Sequence, residues 1–351
     1  MKTNEMRKDY LLDRWVVIAT ERKKRPTDFA KPREVMKPAT CPFDPGNEDK
    51  TPKAELVYLR GKDGRIKKAK DKNGFRYKDW LIRCFPNLFP AFTPPEIEKK
   101  VRMKENSFLF DAVGAHEVIV ESPQHDEHPG VAKLEQLGLV VDAYLDRLKA
   151  FSTKPYVKYV SIFRNHGVEA GASLSHAHSQ LIATPLVPLT LREELKASRR
   201  FWQNRHECPF CNILKRERKS PRFIWQNDGF GVFAPWASVN PLEFWILPRR
   251  HQASPLEMSK KTRKDLALTL RVCLGGLNTL LNDPPYNYGF HIAPSSDADK
   301  FYHWHIEVYP KLAIWAGFEK STGIYINTVP PEDAAASLRE ASEKEEKAIS
   351  A

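Results

Sequence analysis

The chain contains no run of 18 apolar residues, which argues against a membrane-spanning helix. Its first stretch, Met1 to Arg14, is charged and has no apolar core, so a signal peptide is not expected and cytoplasmic residence is the default expectation. Cysteine is scarce: Cys41, Cys84, Cys208, Cys211 and Cys273 are all there is. An odd count without a leader argues against a disulfide framework. Cys84 and Cys273 read as packing residues. Glycine is sparse, at 16, against 27 prolines, a balance that would stiffen loops in a heat-adapted protein. No known nucleic-acid module is visible, although the net charge is +12. Much of that excess lies in Arg60 to Lys78 and Arg192 to Lys219, both read as solvated surface.

What is present is enough for two ordinary domains. The 351 residues, 41% hydrophobic and 11% aromatic, can bury real cores. One stretch organises them: Asn165-His-Gly-Val-Glu-Ala170-Gly-Ala-Ser-Leu-Ser175-His-Ala-His-Ser-Gln180. It follows a β-branched and aromatic run, Val157 to Phe163, and leads into Leu181 to Ala183. That context reads as strand, glycine loop, strand. On a strand His176, His178 and Gln180 share one face, about 7 Å apart at each step. Gly167, Gly171 and Ser173 supply a loop whose backbone N–H groups can approach an anion. An imidazole row facing such a loop suits a phosphorus centre.

The order of features occurs twice. Cys208-Pro-Phe-Cys211 echoes Cys41-Pro-Phe-Asp44. Strand candidates Glu117 to Glu121 and Glu243 to Pro248 are each followed by a helical pattern, through Leu134 to Leu148 and Ser259 to Leu281. His303-Trp-His305-Ile-Glu307-Val-Tyr-Pro310 mirrors the stretch from His176. The interval from His125 to His176 is 51 residues, and from His251 to His303 it is 52. A duplication explains this match. The chain therefore reads as α+β, with two tandem modules, each an antiparallel sheet with packed helices, over 1–195 and 196–351. Cys208, Cys211, His251 and His303 form a set suited to structural zinc, all four positions being filled. Cys41, Asp44, His125 and His176 form the first-half counterpart, with zinc or a hydrogen-bond network in its place.

These motifs, with Arg22-Lys-Lys-Arg25-Pro26, Ser122-Pro-Gln-His125, His251 and Gly317-Phe-Glu319, resemble the galactose-1-phosphate uridylyltransferase family of the histidine triad superfamily. The run Ala316 to Arg339, with Thr322 to Asn327, looks like its archaeal and plant-type branch, which includes ADP-glucose phosphorylase-like proteins. The resemblance implies His178 as nucleophile, His176 as metal ligand, and Gln180 on a non-bridging phosphoryl oxygen. It implies that Asn165, Gly171, Ala172 and Ser173 cradle phosphates. Arg22, Arg25 and Asn87 would meet the nucleoside, and Gly317, Phe318, Glu319 and Asn327 the hexose, partly across a homodimer. Three departures stand out. Ala177 occupies a place that is often proline, and Asp44 replaces a cysteine. A second bacterial metal site of one glutamate and three histidines would here be Glu194, His291, His305 and Glu307, with a glutamate for one histidine; the separate Cys208 set points to the other arrangement.

The expected reaction is double displacement at the α-phosphorus of a nucleotide sugar. Neutral imidazole is a good nucleophile near pH 7. Sugar phosphate leaves without protonation, its second pKa being about 6. Gln180 can still donate to the phosphoryl oxygen, and gives little help to water, which argues against a nucleotide hydrolase. The expectation is a UDP-glucose–hexose-1-phosphate uridylyltransferase acting on UDP-glucose or UDP-galactose. A sugar-nucleotide phosphorylase using phosphate is the alternative. A non-catalytic nucleic-acid-binding zinc protein is a further alternative, which the intact loop opposes.

Overall fold

The computed structural model describes residues 4–20, 24–30, 40–95, 102–104, 107–109, 111–294 and 296–350. The first half supplies β1 (Glu5–Lys8), β2 (Trp15–Ile18), β3 (Leu56–Arg60), β4 (Ile66–Ala69), β5 (Trp80–Pro86), β6 (Arg102–Lys104), β7 (Ser107–Leu109) and β8 (Ala115–Val120). Then come α1 (Leu134–Ser152), β9 (Tyr159–His166), β10 (His178–Thr184) and α2 (Leu189–Arg205). The second half follows with α3 (Pro209–Glu217), β11 (Phe223–Gln226), β12 (Phe230–Phe233), β13 (Phe244–Pro248), α4 (Lys260–Leu281), β14 (Tyr286–His291) and β15 (His305–Pro310). It closes with α5 (Gly317–Thr322), β16 (Tyr325–Asn327) and α6 (Pro331–Ser350).

Eleven strands form one antiparallel sheet in the order β11-β12-β13-β15-β14-β9-β10-β8-β5-β3-β4. The two halves meet where β14 pairs with β9, Asn287 lying opposite Asn165. Each half thus lays down its own antiparallel sheet, and the two edges fuse. β1 and β2 take a different course: β16 adds to β2 in parallel, in a separate three-stranded sheet. The N-terminal strands therefore pair with the C-terminal end of the chain.

The helices form as their apolar spacing predicts. In α1, Leu137, Val141, Tyr144, Leu148 and Phe151 are buried on one stripe. In α4, the Ser259 hydroxyl caps the first turn by accepting from the Thr262 N–H at 3.1 Å. Leu266, Leu270, Cys273, Leu277 and Leu281 of α4 are buried, and the helix packs against both α1 and α6. Burying each such side chain contributes about 1.5–3 kcal/mol. Cys84 and Cys273 are buried free thiols within this core. The helices cover one face of the sheet. The opposite, front face carries a smaller apolar cluster, Ala54, Val57, Trp80, Phe85, Val118 and Val120, against which Phe43 packs. Among the described residues, no helix is long and apolar enough to cross a membrane.

Candidate active site

Strand alternation decides what faces what. Gln180 lies opposite Phe163 on β9 and Val118 on β8, and His178 opposite Val120. His178 and Gln180 therefore stand on the front face, and Ser179 on the helix side. The loop before them turns at Gly167 (φ +82°) and Gly171 (φ +85°), a conformation that L side chains rarely adopt. At Gly167 a Cβ would also fall 2.8 Å from that of Pro285. Asn287 holds the loop in place, its amide donating to Asn165 Oδ1 and the Ala170 carbonyl, both at 2.8 Å. A cavity of about 370 Å³ opens there, lined by Lys24, Asn165, Gly167, Ala172, Ser175 and His176.

His178 is buried, with Phe43 edge-on to its ring at a centroid distance of 5.4 Å. Its Nδ1–H donates to the His176 carbonyl at 2.7 Å. Nε2 therefore carries the lone pair and bonds to no described residue. Burial pushes this imidazole down to about 4, and the Arg164 cation adds to the effect, so the ring is neutral at pH 7. The arrangement presents a neutral, oriented nitrogen. Gln180 is half-buried, and its Oε1 lies 2.7 Å from His116 Nε2.

Behind the strand lies a polar network that sequence reasoning missed. Arg164, fully buried, donates to the His178 carbonyl at 3.0 Å, to Glu121 and to His128 Nδ1 at 2.8 Å. Glu121 also accepts from Tyr144 and Ser179, and Tyr144 meets Tyr288 at 2.7 Å. The segment from His178 to Ser179 is thus tied at its carbonyl and its hydroxyl. The one signal in the sequence was an arginine directly after the β-branched and aromatic run that ends at Phe163.

Among the described residues, three donor clusters could each hold a metal ion, their donor atoms lying within 4.8 Å of one another. In the first, His176 donates through Nε2 to the Ser122 carbonyl at 2.8 Å, so its Nδ1 has no proton. Yet Asp44 Oδ1 sits 2.9 Å from that nitrogen and 2.8 Å from His125 Nδ1. Burial keeps His176 neutral, and the two imidazoles hold Asp44 ionised against its own burial. Asp44 Oδ1 thus lies between the two imidazole Nδ1 atoms, and Cys41 completes a donor set that could hold a metal ion. In the second cluster, Cys211 Sγ lies 3.3 Å from His251 Nδ1 and 3.6 Å from His303 Nδ1. A tetrahedral ion with bonds of about 2.3 Å to sulfur and 2.05 Å to nitrogen sets those edges near ~3.5 Å. Cys208 hydrogen-bonds to Cys211 and pulls its thiol far down, while its own thiol is raised by the same bond and by burial. Both four-residue sets expected from the sequence are thus brought together.

The third cluster, Glu194, His291, His305 and Glu307, lines a separate cavity of about 380 Å³ through all but His305. His291 donates to Glu194 at 2.9 Å, and the outer carboxylate oxygens accept from Tyr302 and Tyr309. Burial opposes the charge on His291, but Glu194 and Glu307 raise it to about 9.

The nucleoside, phosphate and hexose candidates sit on several elements. Arg22 lies outside the described residues. Arg25 is exposed, its backbone N–H donating to Asp28 at 2.7 Å. Asn87 stands at the front edge, its Oδ1 accepting from the Phe89 N–H at 2.9 Å. Gly171 and Ser173 are exposed on the loop and Ala172 half-buried. Gly317, Phe318 and Glu319 open α5, where Glu319 caps the Ala316 N–H at 3.0 Å. Asn327 is buried, its amide committed to the carbonyls of Ser238 and Asn240 and to the Val329 N–H.

A fused pair of antiparallel modules with a His-x-His-x-Gln motif leading into the interior strand β10 defines a member of the histidine triad superfamily. Residues 1–188 match the family described as galactose-1-phosphate uridyl transferase, N-terminal domain, and residues 124–350 match a domain of unknown function (DUF4921). The ADP-glucose phosphorylase of Arabidopsis thaliana is 33% identical over 347 residues, 96% of this chain and 93% of that one. The galactose-1-phosphate uridylyltransferase of Thermotoga maritima is 30% identical over 350 residues, covering 96% and 98%. The crystal structure of the Arabidopsis phosphorylase with bound ADP-glucose superimposes with a TM-score of 0.79 at 28% identity, covering 96% and 99%. The chain belongs to the galactose-1-phosphate uridylyltransferase family.

Proposed function

We propose that this protein is a UDP-glucose–hexose-1-phosphate uridylyltransferase, working through a nucleotidyl-histidine at His178. The observation that carries the reading is the His178 ring: neutral, its Nδ1 tied to the His176 carbonyl, its Nε2 unspent. Nε2 attacks the α-phosphorus in line. The bond from phosphorus to the sugar phosphate oxygen breaks, and hexose 1-phosphate leaves with the electron pair. An incoming hexose 1-phosphate oxygen then attacks the same phosphorus, and the N–P bond breaks, returning the pair to Nε2. Two displacements retain configuration at phosphorus. The glycine loop, with Asn165 and Ser173, supplies N–H and side-chain donors to the phosphates.

The Cys41, Asp44, His125 and His176 set fits zinc, as does Cys208, Cys211, His251 and His303. Zinc bound at the first set would supply charge and rigidity behind His176. His176 itself fixes the carbonyl on which the nucleophile leans. Phe318 is 48% and Ile314 94% exposed, which suits a homodimer in which the Gly317 to Glu319 segment serves the neighbouring site. A cytoplasmic location accords with this chemistry.

A second reading is favoured by the 33% identity to ADP-glucose phosphorylase: phosphate replaces hexose 1-phosphate as acceptor and a nucleoside diphosphate leaves. The acceptors separate the two. Purified protein is given UDP-glucose or ADP-glucose, each with galactose 1-phosphate or with inorganic phosphate. Formation of UDP-galactose supports the transferase. Release of nucleoside diphosphate only when phosphate is present transfers the assignment to the phosphorylase.

A further inference from the structure

We infer that His116 is a positioning residue that fixes which end of the Gln180 amide meets the phosphoryl group. The inference rests on the nucleotidyl-histidine reading above. His116 lies on β8 opposite Ile182 of β10, two positions beyond Gln180 on the same face. Its tautomer follows from a backbone donor at Nδ1 and the shorter of two contacts at Nε2. The backbone N–H of Ala91 donates to His116 Nδ1 at 3.2 Å, so that nitrogen carries the lone pair. In the neutral ring the proton then resides on Nε2, which donates to Gln180 Oε1 at 2.7 Å. Asn87 Oδ1 accepts from the Phe89 N–H, which leaves Asn87 Nδ2 as a second donor facing the same Nε2 at 3.2 Å; the Gln180 contact is the shorter of the two and keeps the proton.

The consequence lies at the other end of Gln180. With Oε1 engaged, its NH2 group is the end left over, and it bonds to no described residue. An amide free to rotate would present its carbonyl to a phosphoryl oxygen half of the time, which is repulsive. His116 removes that choice before substrate arrives, so the donor is preorganised. The chain Ala91, His116, Gln180 thus links the backbone that follows β5 to Gln180.

The test is a double-mutant cycle on the rate of adduct formation, measured by rapid quench with radiolabelled UDP-glucose and ADP-glucose on the intact protein. His116→Ala is expected to slow the step by about tenfold, with the dissociation constant for nucleotide sugar changed by less than about twofold. His116→Gln, which keeps a neutral donor, restores the rate to within about threefold. In a Gln180→Ala background, His116→Ala costs no more than about twofold further, because its partner is already gone. If His116→Ala does not fold, His116→Phe fills the space without a donor and takes its place. Wild-type rates in the donorless variant, or losses that multiply in the double variant, overturn the inference. Absence of any wild-type adduct instead overturns the underlying function, and with it this role.

Discussion

The two halves of the molecule carry the same frame and spend it differently. On β10, His178 offers a free Nε2, and the next residue on that face is an amide. On β15, His305 makes the same bond through Nδ1, to the His303 carbonyl at 3.1 Å, but its Nε2 faces Glu307 at 3.3 Å. The His305 ring is wholly buried, stacked on Trp245 at 5.3 Å and tilted against Phe210 at 4.7 Å. A glycine loop precedes β10, whereas the sequence between His291 and His305 holds no glycine. The comparison teaches that the His-x-His geometry alone is structural. On the proposed reading it becomes chemistry when the lone pair is left unspent, an amide replaces the carboxylate, and an anion loop stands in front.

The largest effect should come from breaking that asymmetry at its centre. His178→Ala is expected to abolish adduct and lower kcat by more than about 1,000-fold. His305→Gln should leave kcat within about threefold and lower Tm instead. Making the first half resemble the second is the next test. Gln180→Glu removes a donor and places a negative charge beside the phosphoryl group, with an expected loss of about 100-fold in kcat. Arg164→Met breaks a buried pair, Arg164 being 1% and Glu121 2% exposed. It should cost about 3–5 kcal/mol in denaturant titration, because Glu121 is left buried and unpaired. The double replacement Arg164→Met with Glu121→Leu should recover most of that stability without recovering kcat.

The metal sets extend the comparison. Elemental analysis should find two zinc equivalents, one lost in Asp44→Ala and the other in Cys211→Ser. Chelator should strip the set with one thiolate before the set with two. The smallest effect is in pH. A histidine with an ordinary pKa would titrate near 6.5, whereas the buried His178 ring is held down to about 4. Lowered, it stays neutral and nucleophilic as pH falls, so kcat/KM for the nucleotide sugar should show no acid limb near 6.5.

The sequence made the architecture legible wherever the signal was local or repeated. The β-branched and aromatic run Val157 to Phe163 falls largely within β9, Tyr159–His166, and the leucine-rich pattern from Ser259 to Leu281 is α4. Both Cys and His sets assemble as the intervals predict. Three things were not legible because each depends on distant pairing. The capture of β2 by β16 joins segments more than 300 positions apart. The Arg164 and Glu121 pair needs β8 and β9 to flank β10. His116 matters only through the register that sets it beside Gln180. The resemblance implied Asn327 as a hexose contact; its amide is committed to backbone, as an Asx side chain in a turn often is.

The most direct test is intact-mass and peptide-level mass spectrometry after brief incubation with UDP-glucose or ADP-glucose and no acceptor. The account predicts an acid-labile nucleoside monophosphate adduct on His178, absent from His305 and discharged by hexose 1-phosphate or phosphate. No adduct from either donor, or an adduct on any other residue, would contradict it.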